Sequence, residues 1–276
     1  MHSRLALLVV TLLGVAGVVA LFDGAARATA DQPVLAVAGA VFRVTTPAGR
    51  VVAQSDLVGA ILALSVEGAT VEGRIAAVSP DPMVPEGDVM LYDVRVAGED
   101  GAERPLCQAG PDGIAAGFPI AGRLDGKGHL VPGGPQDFEF VCTAGARGKC
   151  VRFGYRPWAG EAGGVSMRDL YNACVHMVRA DFCGDGRGHT ENGTLIGFYD
   201  TGGVNPRAEA LAEDGWSELS FEAAWTTDGA ACVAKPRLAR LGNLDDLVAE
   251  CPRLAGRTGR EACRPGAGGL LESWSR

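Results

Sequence analysis
The chain has 276 residues, with 25 Lys and Arg against 33 Asp and Glu, and a net charge of −8. An acidic chain with no basic cluster is not built to bind nucleic acid or an anionic membrane surface. Its length suffices for one large or two modest domains, each with a real apolar core.

In chain order, the first element is a leader. Arg4 supplies a positive start, Leu5 to Phe22 form an apolar run, and Ala28-Thr29-Ala30 matches the small-x-small pattern of signal-peptidase cleavage. Residues 1–30 therefore read as a signal peptide, with a mature chain that begins near Asp31 and is secreted or periplasmic. The alternative is an uncleaved N-terminal anchor, because the run just reaches spanning length. Removing the leader takes away Arg4, Arg27 and Asp23, leaving 23 basic against 32 acidic residues, a net of −9. Only Lys127, Lys149 and Lys235 are lysine; with the abundant Ala and Gly, this points to a GC-rich bacterial genome.

Residues 31–106 read as a β-rich N-terminal region. Phe42 and Val44 alternate with Arg43 and Thr45, Thr46-Pro47-Ala48-Gly49 makes a turn, and Val51 and Val52 start the return strand. Strands are expected over 59–66 and 70–78, joined by Glu67-Gly68, and over 89–96 after a proline-rich loop. Short strands at such spacing predict a β-sandwich or barrel.

Residues 107–276 read as a disulfide-stapled, β-rich domain with one packed helix, making the whole chain mainly β with a few helices (α+β). A soft break falls at Pro132-Gly133-Gly134-Pro135. Phe138 to Cys142 and Val151 to Tyr155 are expected strands. The helix spans 166–179: Ser166 caps it with Asp169 three residues on, and Met167, Leu170, Tyr171, Cys174, Met177 and Val178 form one apolar stripe. Arg168, Asn172, His176 and Arg179 lie opposite, which makes His176 a solvated residue. Strands follow at 195–199 and 221–225, the second turning through Asp228-Gly229. A last short helix carries Leu244, Leu247, Val248 and Cys251 behind an Asn243 cap.

All eight cysteines (Cys107, Cys142, Cys150, Cys174, Cys183, Cys232, Cys251 and Cys263) lie beyond the leader. An even count in an exported chain predicts four disulfides. Spacing orders the pairings only weakly. Cys251–Cys263, closing a polar loop worth about 3 kcal/mol in the chain-entropy model, is the favoured local pair. Cys142–Cys150 is open. Cys174–Cys183 is disfavoured, since a continuous helix would separate the two by about 13 Å.

The chemistry-bearing residues concentrate in 179–200: Asp181, Asp185, His189 and Asp200 among Gly184, Gly186 and Gly188. If the glycine-rich stretch folds back, Asp181, Asp185 and His189 are candidate ligands for a divalent cation such as calcium, although the spacing is not that of an EF-hand. The competing expectation is a structural corner without a cofactor: carboxylates capping turns, glycines at positive φ and His189 bonded to a backbone carbonyl. No serine elbow, zinc-protease helix or phosphate loop occurs. His129 has nothing in sequence to orient it as a base. Arg152, Tyr155, Arg156 and Trp158 form an arginine–aromatic cluster of the kind more often used in packing.

Ala180-Asp181-Phe182-Cys183, followed by Gly-Asp-Gly and His189-Thr190, resembles the signature of the ADYC-domain family, named for Ala-Asp-Tyr-Cys. Phe140-Val-Cys142, Cys150-Val-Arg-Phe-Gly-Tyr155 and Asn192-Gly-Thr support the resemblance, which covers roughly residues 106–263. Phe182 stands where the family has tyrosine, so a role for a phenolic hydroxyl there is lost. The resemblance implies a bacterial exported protein and no assigned activity. The reading is thus a non-catalytic binding or structural module of the envelope or extracellular space, with no membrane span in the mature chain. The alternative is a secreted hydrolase or metal-dependent enzyme centred on Asp181, Asp185 and His189.

Overall fold
The computed structural model describes residues 32–66, 69–206 and 218–276. The leader and the Glu67-Gly68 turn lie outside the described residues. The chain forms two compact units: residues 32–122 with 132–148, and residues 123–131 with 149–276.

The first unit is all antiparallel β. Strands β1 (Val34–Ala38), β2 (Val41–Thr45) and β3 (Val51–Ala53) make one sheet. The second contains β4 (Ile61–Val66), β5 (Ala69–Pro80), β6 (Met90–Ala97), β7 (Glu103–Pro105), β8 (Gly117–Ala121) and, after a chain excursion, β11 (Phe138–Cys142). Its order is β11-β8-β6-β5-β4, with β7 added to β6. Period-2 alternation places Leu35, Phe42, Val44, Leu62, Leu64, Ile75, Tyr92 and Val94 in one core shared by the two sheets. The Phe42 and Tyr92 rings meet edge to face at 4.9 Å, and the Tyr92 hydroxyl accepts the Phe42 N–H at 3.0 Å. Burial pushes the Tyr92 phenol up to about 12, against the opposing effect of that bond. Neither sheet closes, so the arrangement is an open two-sheet packing and not a barrel. The Cys107–Cys142 disulfide ties the chain after β7 to the end of β11.

The second unit begins with the hairpin β9 (Arg123–Leu124) and β10 (Leu130–Val131). Helix α1 spans Ala146–Arg152, where the sequence predicts a strand over Val151–Tyr155. Alternation cannot hold there, because the adjacent Cys150 and Val151 are both fully buried, and Cys150 is bonded to Cys174. A second hairpin, β12 (Glu161–Ala162) and β13 (Val165–Ser166), leads into helix α2 (Met167–Arg179). The Ser166 hydroxyl caps it, accepting the Asp169 N–H. A four-stranded sheet follows in the order β14-β17-β15-β16, built from β14 (Ile196–Asp200), β15 (Ser220–Thr226), β16 (Gly229–Val233) and β17 (Leu271–Ser275). Helix α2 packs on this sheet. Helix α3 (Leu244–Glu250) starts from a full Asn243–Asp246 capping box, and Cys232–Cys263 joins β16 to the chain before β17.

Helix α2 is buried on more than its apolar stripe. Asn172 and His176, assigned to its polar face, are 6% exposed. The Asn172 amide accepts the Leu130 N–H at 2.9 Å and donates to the Leu130 carbonyl at 3.1 Å, so β10 docks there as on a neighbouring strand. A hairpin more than forty residues upstream thus covers the face left to solvent by helical periodicity. Among the described residues no helix is long and apolar enough to cross a membrane.

Candidate functional site
The Ala180–His189 corner begins where α2 ends. Ala180 takes the left-handed conformation (φ 49°) and its N–H bonds the carbonyls of His176 and Met177, stopping the helix. Full burial explains a small side chain at this position.

Asp181 is the centre of the turn. Its Oδ1 accepts the N–H groups of Gly184 (2.9 Å) and Asp185 (3.1 Å); its Oδ2 accepts the Gly186 N–H (2.9 Å) and His176 Nδ1–H (3.0 Å). Four donors on two oxygens fill the acceptor sites of a carboxylate. Burial alone would raise the Asp181 carboxyl, but the bond and charge of His176, with the Gly186 and Gly184 N–H groups, hold it below 3.8. His176 turns its Nε2 to the Thr227 carbonyl at 2.9 Å, so both ring nitrogens face oxygen acceptors. His176 is therefore a buried partner of Asp181, not a solvated residue.

Gly184 is required by contact. Gly184 has φ 70°, and a Cβ there would lie 2.2 Å from the Asp228 carbonyl oxygen. Phe182 stacks on Trp225 with ring centroids 5.2 Å apart. Arg253 clamps the far side: its guanidinium donates to the carbonyls of Phe182 (2.6 Å), Ala230 (2.7 Å), Asp228 (2.9 Å) and Cys183 (3.3 Å). Nothing local in the sequence marks Arg253 for this role.

The other candidates are placed apart. Asp185 turns outward to the Arg187 backbone and guanidinium. His189 faces the Ala180 carbonyl through Nδ1 at 3.1 Å, and its Nε2 lies 3.6 Å from Glu250. Asp200 sits at the end of β14, accepting from the Tyr155 hydroxyl at 3.0 Å and from the N–H groups of Val204 and Asn205. Tyr155, from the arginine–aromatic cluster, is thus fully buried, and its phenol is raised by burial and by the Asp200 charge. The corner does not bring Asp181, Asp185 and His189 to one point. Among the described residues, no group of three or more His, Cys, Asp or Glu is positioned to hold a metal ion. His129 does have an orienting partner: Asp125 lies 3.2 Å from its Nδ1, and its ring meets that of His176 edge to face at 5.8 Å.

The most deeply buried ion pair among the described residues carries no sequence signal. Glu222 and Arg237, 0% and 3% exposed, form a bidentate ion pair, and Arg237 also donates to the Val178 carbonyl. Beside the corner lies a small, shallow cleft, lined by Phe182, His189, Leu238, Asn243, Leu247 and Glu250.

The cysteines pair as Cys107–Cys142, Cys150–Cys174 and Cys232–Cys263. Cys263 bonds Cys232 and not the expected Cys251, and Cys142 reaches back to Cys107 and not on to Cys150. Three disulfides are present where four are predicted; Cys183 and Cys251 carry thiols. Burial, a hydrogen bond with Cys251 and the Cys251 and Asp185 charges push the Cys183 thiol up to about 12.

Residues 54–239, two thirds of the chain, match the family model of the ADYC domain. The chain belongs to the ADYC-domain family, and its Ala180-Asp181-Phe182-Cys183 is the corner just described. No curated protein and no solved structure matches it.

Proposed function
We propose that this chain is an exported protein of the cell envelope or extracellular space, acting as a binding or structural module and not as an enzyme. The observation that carries the reading is the saturation of Asp181. A general base needs a lone pair for the substrate proton, and a metal ligand needs one for the ion. All four acceptor sites of this carboxylate are taken by the protein's own N–H groups. Three disulfides support an oxidising compartment.

Two measurements test this. The intact mass of protein from the envelope or medium should correspond to a chain starting at Asp31; a form retaining Leu5 to Phe22 would establish an anchor instead. Purified protein titrated with calcium to millimolar concentration should keep its melting temperature. A calcium-dependent rise abolished by both Asp185→Ala and His189→Ala would establish a metal site and overturn the module reading.

A further inference from the structure
The two thiols lie on the seam between the corner and α3. On one side of them, Glu250 pairs with Arg187 at 3.5 Å and with His189 at 3.6 Å. On the other, Arg253 donates to the carbonyls of Phe182 and Cys183. Glu250, next to Cys251, and Arg253, two residues beyond it, are therefore bonded to the corner that carries Cys183. Cys251 is buried and Cys183 is partly open to solvent, giving one accessible thiol and one shielded behind it.

We propose that Cys183 and Cys251 close into a fourth disulfide that pins the C-terminal end of α3 to the ADYC corner, and that this bond exchanges more readily than Cys150–Cys174 and Cys232–Cys263. The reaction needs a disulfide oxidant, such as oxidised glutathione or a disulfide-donating protein. The Cys183 thiolate attacks one oxidant sulfur, forming a mixed disulfide and releasing the first thiol. The Cys251 thiolate then attacks the Cys183 sulfur and displaces the second. The two cysteines lose two electrons and two protons, and the oxidant takes up both pairs and leaves as two thiols. Exchange starts more readily here because a thiolate can reach the Cys183 sulfur, whereas both sulfurs of Cys150–Cys174 and of Cys232–Cys263 belong to buried residues. Closure would also fix one wall of the cleft, since Leu247 and Glu250 line it from α3 and Phe182 and His189 from the corner.

The inference goes beyond the module reading, and its test supplies its own oxidant, so it stands or falls independently of where the protein resides. Mature protein is equilibrated in glutathione redox buffers, alkylated under denaturing conditions, and digested without reduction for mass mapping. The expected result is a Cys183 peptide linked to a Cys251 peptide, 2 Da lighter than the two thiol peptides together. That link should open at a glutathione ratio at least tenfold less reducing than Cys150–Cys174 and Cys232–Cys263. In Cys183→Ser, Cys251 should become stoichiometrically labelled, and amide exchange across α3 should accelerate about tenfold. Alkylation of both cysteines after full oxidation, or a link from either to another cysteine, would overturn the pairing. Opening together with or after those two would overturn its exchangeability. The mapping is done on the unmutated chain, so a variant that fails to fold leaves the test intact.

Discussion

Replacing Asp181 by alanine tests the corner most directly. The substitution removes the acceptor for three backbone N–H groups and for His176, which is itself 6% exposed. The three N–H groups are only part-buried and water can reach them, so each loss costs roughly 0.5–1 kcal/mol. Leaving the buried His176 ring nitrogen without its acceptor costs about 1–3 kcal/mol. The two contributions share one carboxylate and overlap, so the expected loss is about 2–4 kcal/mol, above the ~1 kcal/mol typical of an exposed cap. Urea unfolding with disulfides intact, followed through the Trp225 fluorescence that Phe182 stacking reports, measures it. The pH dependence gives a second check. The Asp181 pKa is held below 3.8 in the fold, so the unfolded chain binds more protons in that window and stability rises with pH. The gap between wild type and Asp181→Ala should be full above about pH 5 and shrink as pH falls through the folded-state value. A variant within about 0.5 kcal/mol of wild type at neutral pH, well inside the range for surface changes, would refute the buried-corner reasoning.

Three further substitutions follow from the same geometry. Glu222→Ala should cost about 3–5 kcal/mol by stranding Arg237, while Glu222→Leu with Arg237→Met should recover most of that; a double variant no more stable than the single would contradict it. Gly184→Ala should lose at least ~2 kcal/mol in thermal unfolding, since a Cβ would meet the Asp228 carbonyl at 2.2 Å with φ at +70°. Phe182→Tyr should lose about 1–3 kcal/mol in thermal unfolding, because the ring is buried against Trp225 and the added hydroxyl gains no partner; a variant within about 0.5 kcal/mol of wild type would mean that the hydroxyl reaches water.

Where local pattern and tertiary contact agree, the sequence was enough. Alternation at Phe42 to Thr45, the Ser166 cap of α2 and the Asn243 cap of α3 all read correctly, because each signal acts within a few residues. The failures share one cause. His176 lies opposite the apolar stripe by helical period, but β10 covers that face from a remote part of the chain. Val151 to Tyr155 alternate like a strand, yet a helix forms where Cys150 is bonded to Cys174. Glu222 sits where the β15–β17 register shifts, so its direction could not be read from its neighbours Phe221 and Ala223. The disulfide partners are 24 to 35 residues apart, and no loop-size rule selects them. At the candidate site the residue types and the turn were legible. What periodicity hid was that the ring saturating Asp181 comes from the helix face assigned to solvent.

The same device recurs elsewhere in this unit, and the recurrence bears on what the signature is for. Asp125 accepts the Lys127 and His129 N–H groups and pairs with the His129 ring. Asp200 accepts the Val204 and Asn205 N–H groups and the Tyr155 hydroxyl. Asp181 accepts the Gly184, Asp185 and Gly186 N–H groups and the His176 ring. Each time a carboxylate collects the N–H groups of the turn that follows it, then a side-chain donor that fixes the turn to its surroundings. Buried N–H groups left without acceptors are costly, and one ionised carboxylate can satisfy several where no strand is within reach. A catalytic carboxylate would stand out from this series by an unfilled acceptor site facing a cleft. Asp181 is the most completely filled of the three, with four donors on its two oxygens. The cleft is left to the residues around it: Phe182 and His189 from the corner, and Leu247 and Glu250 from α3.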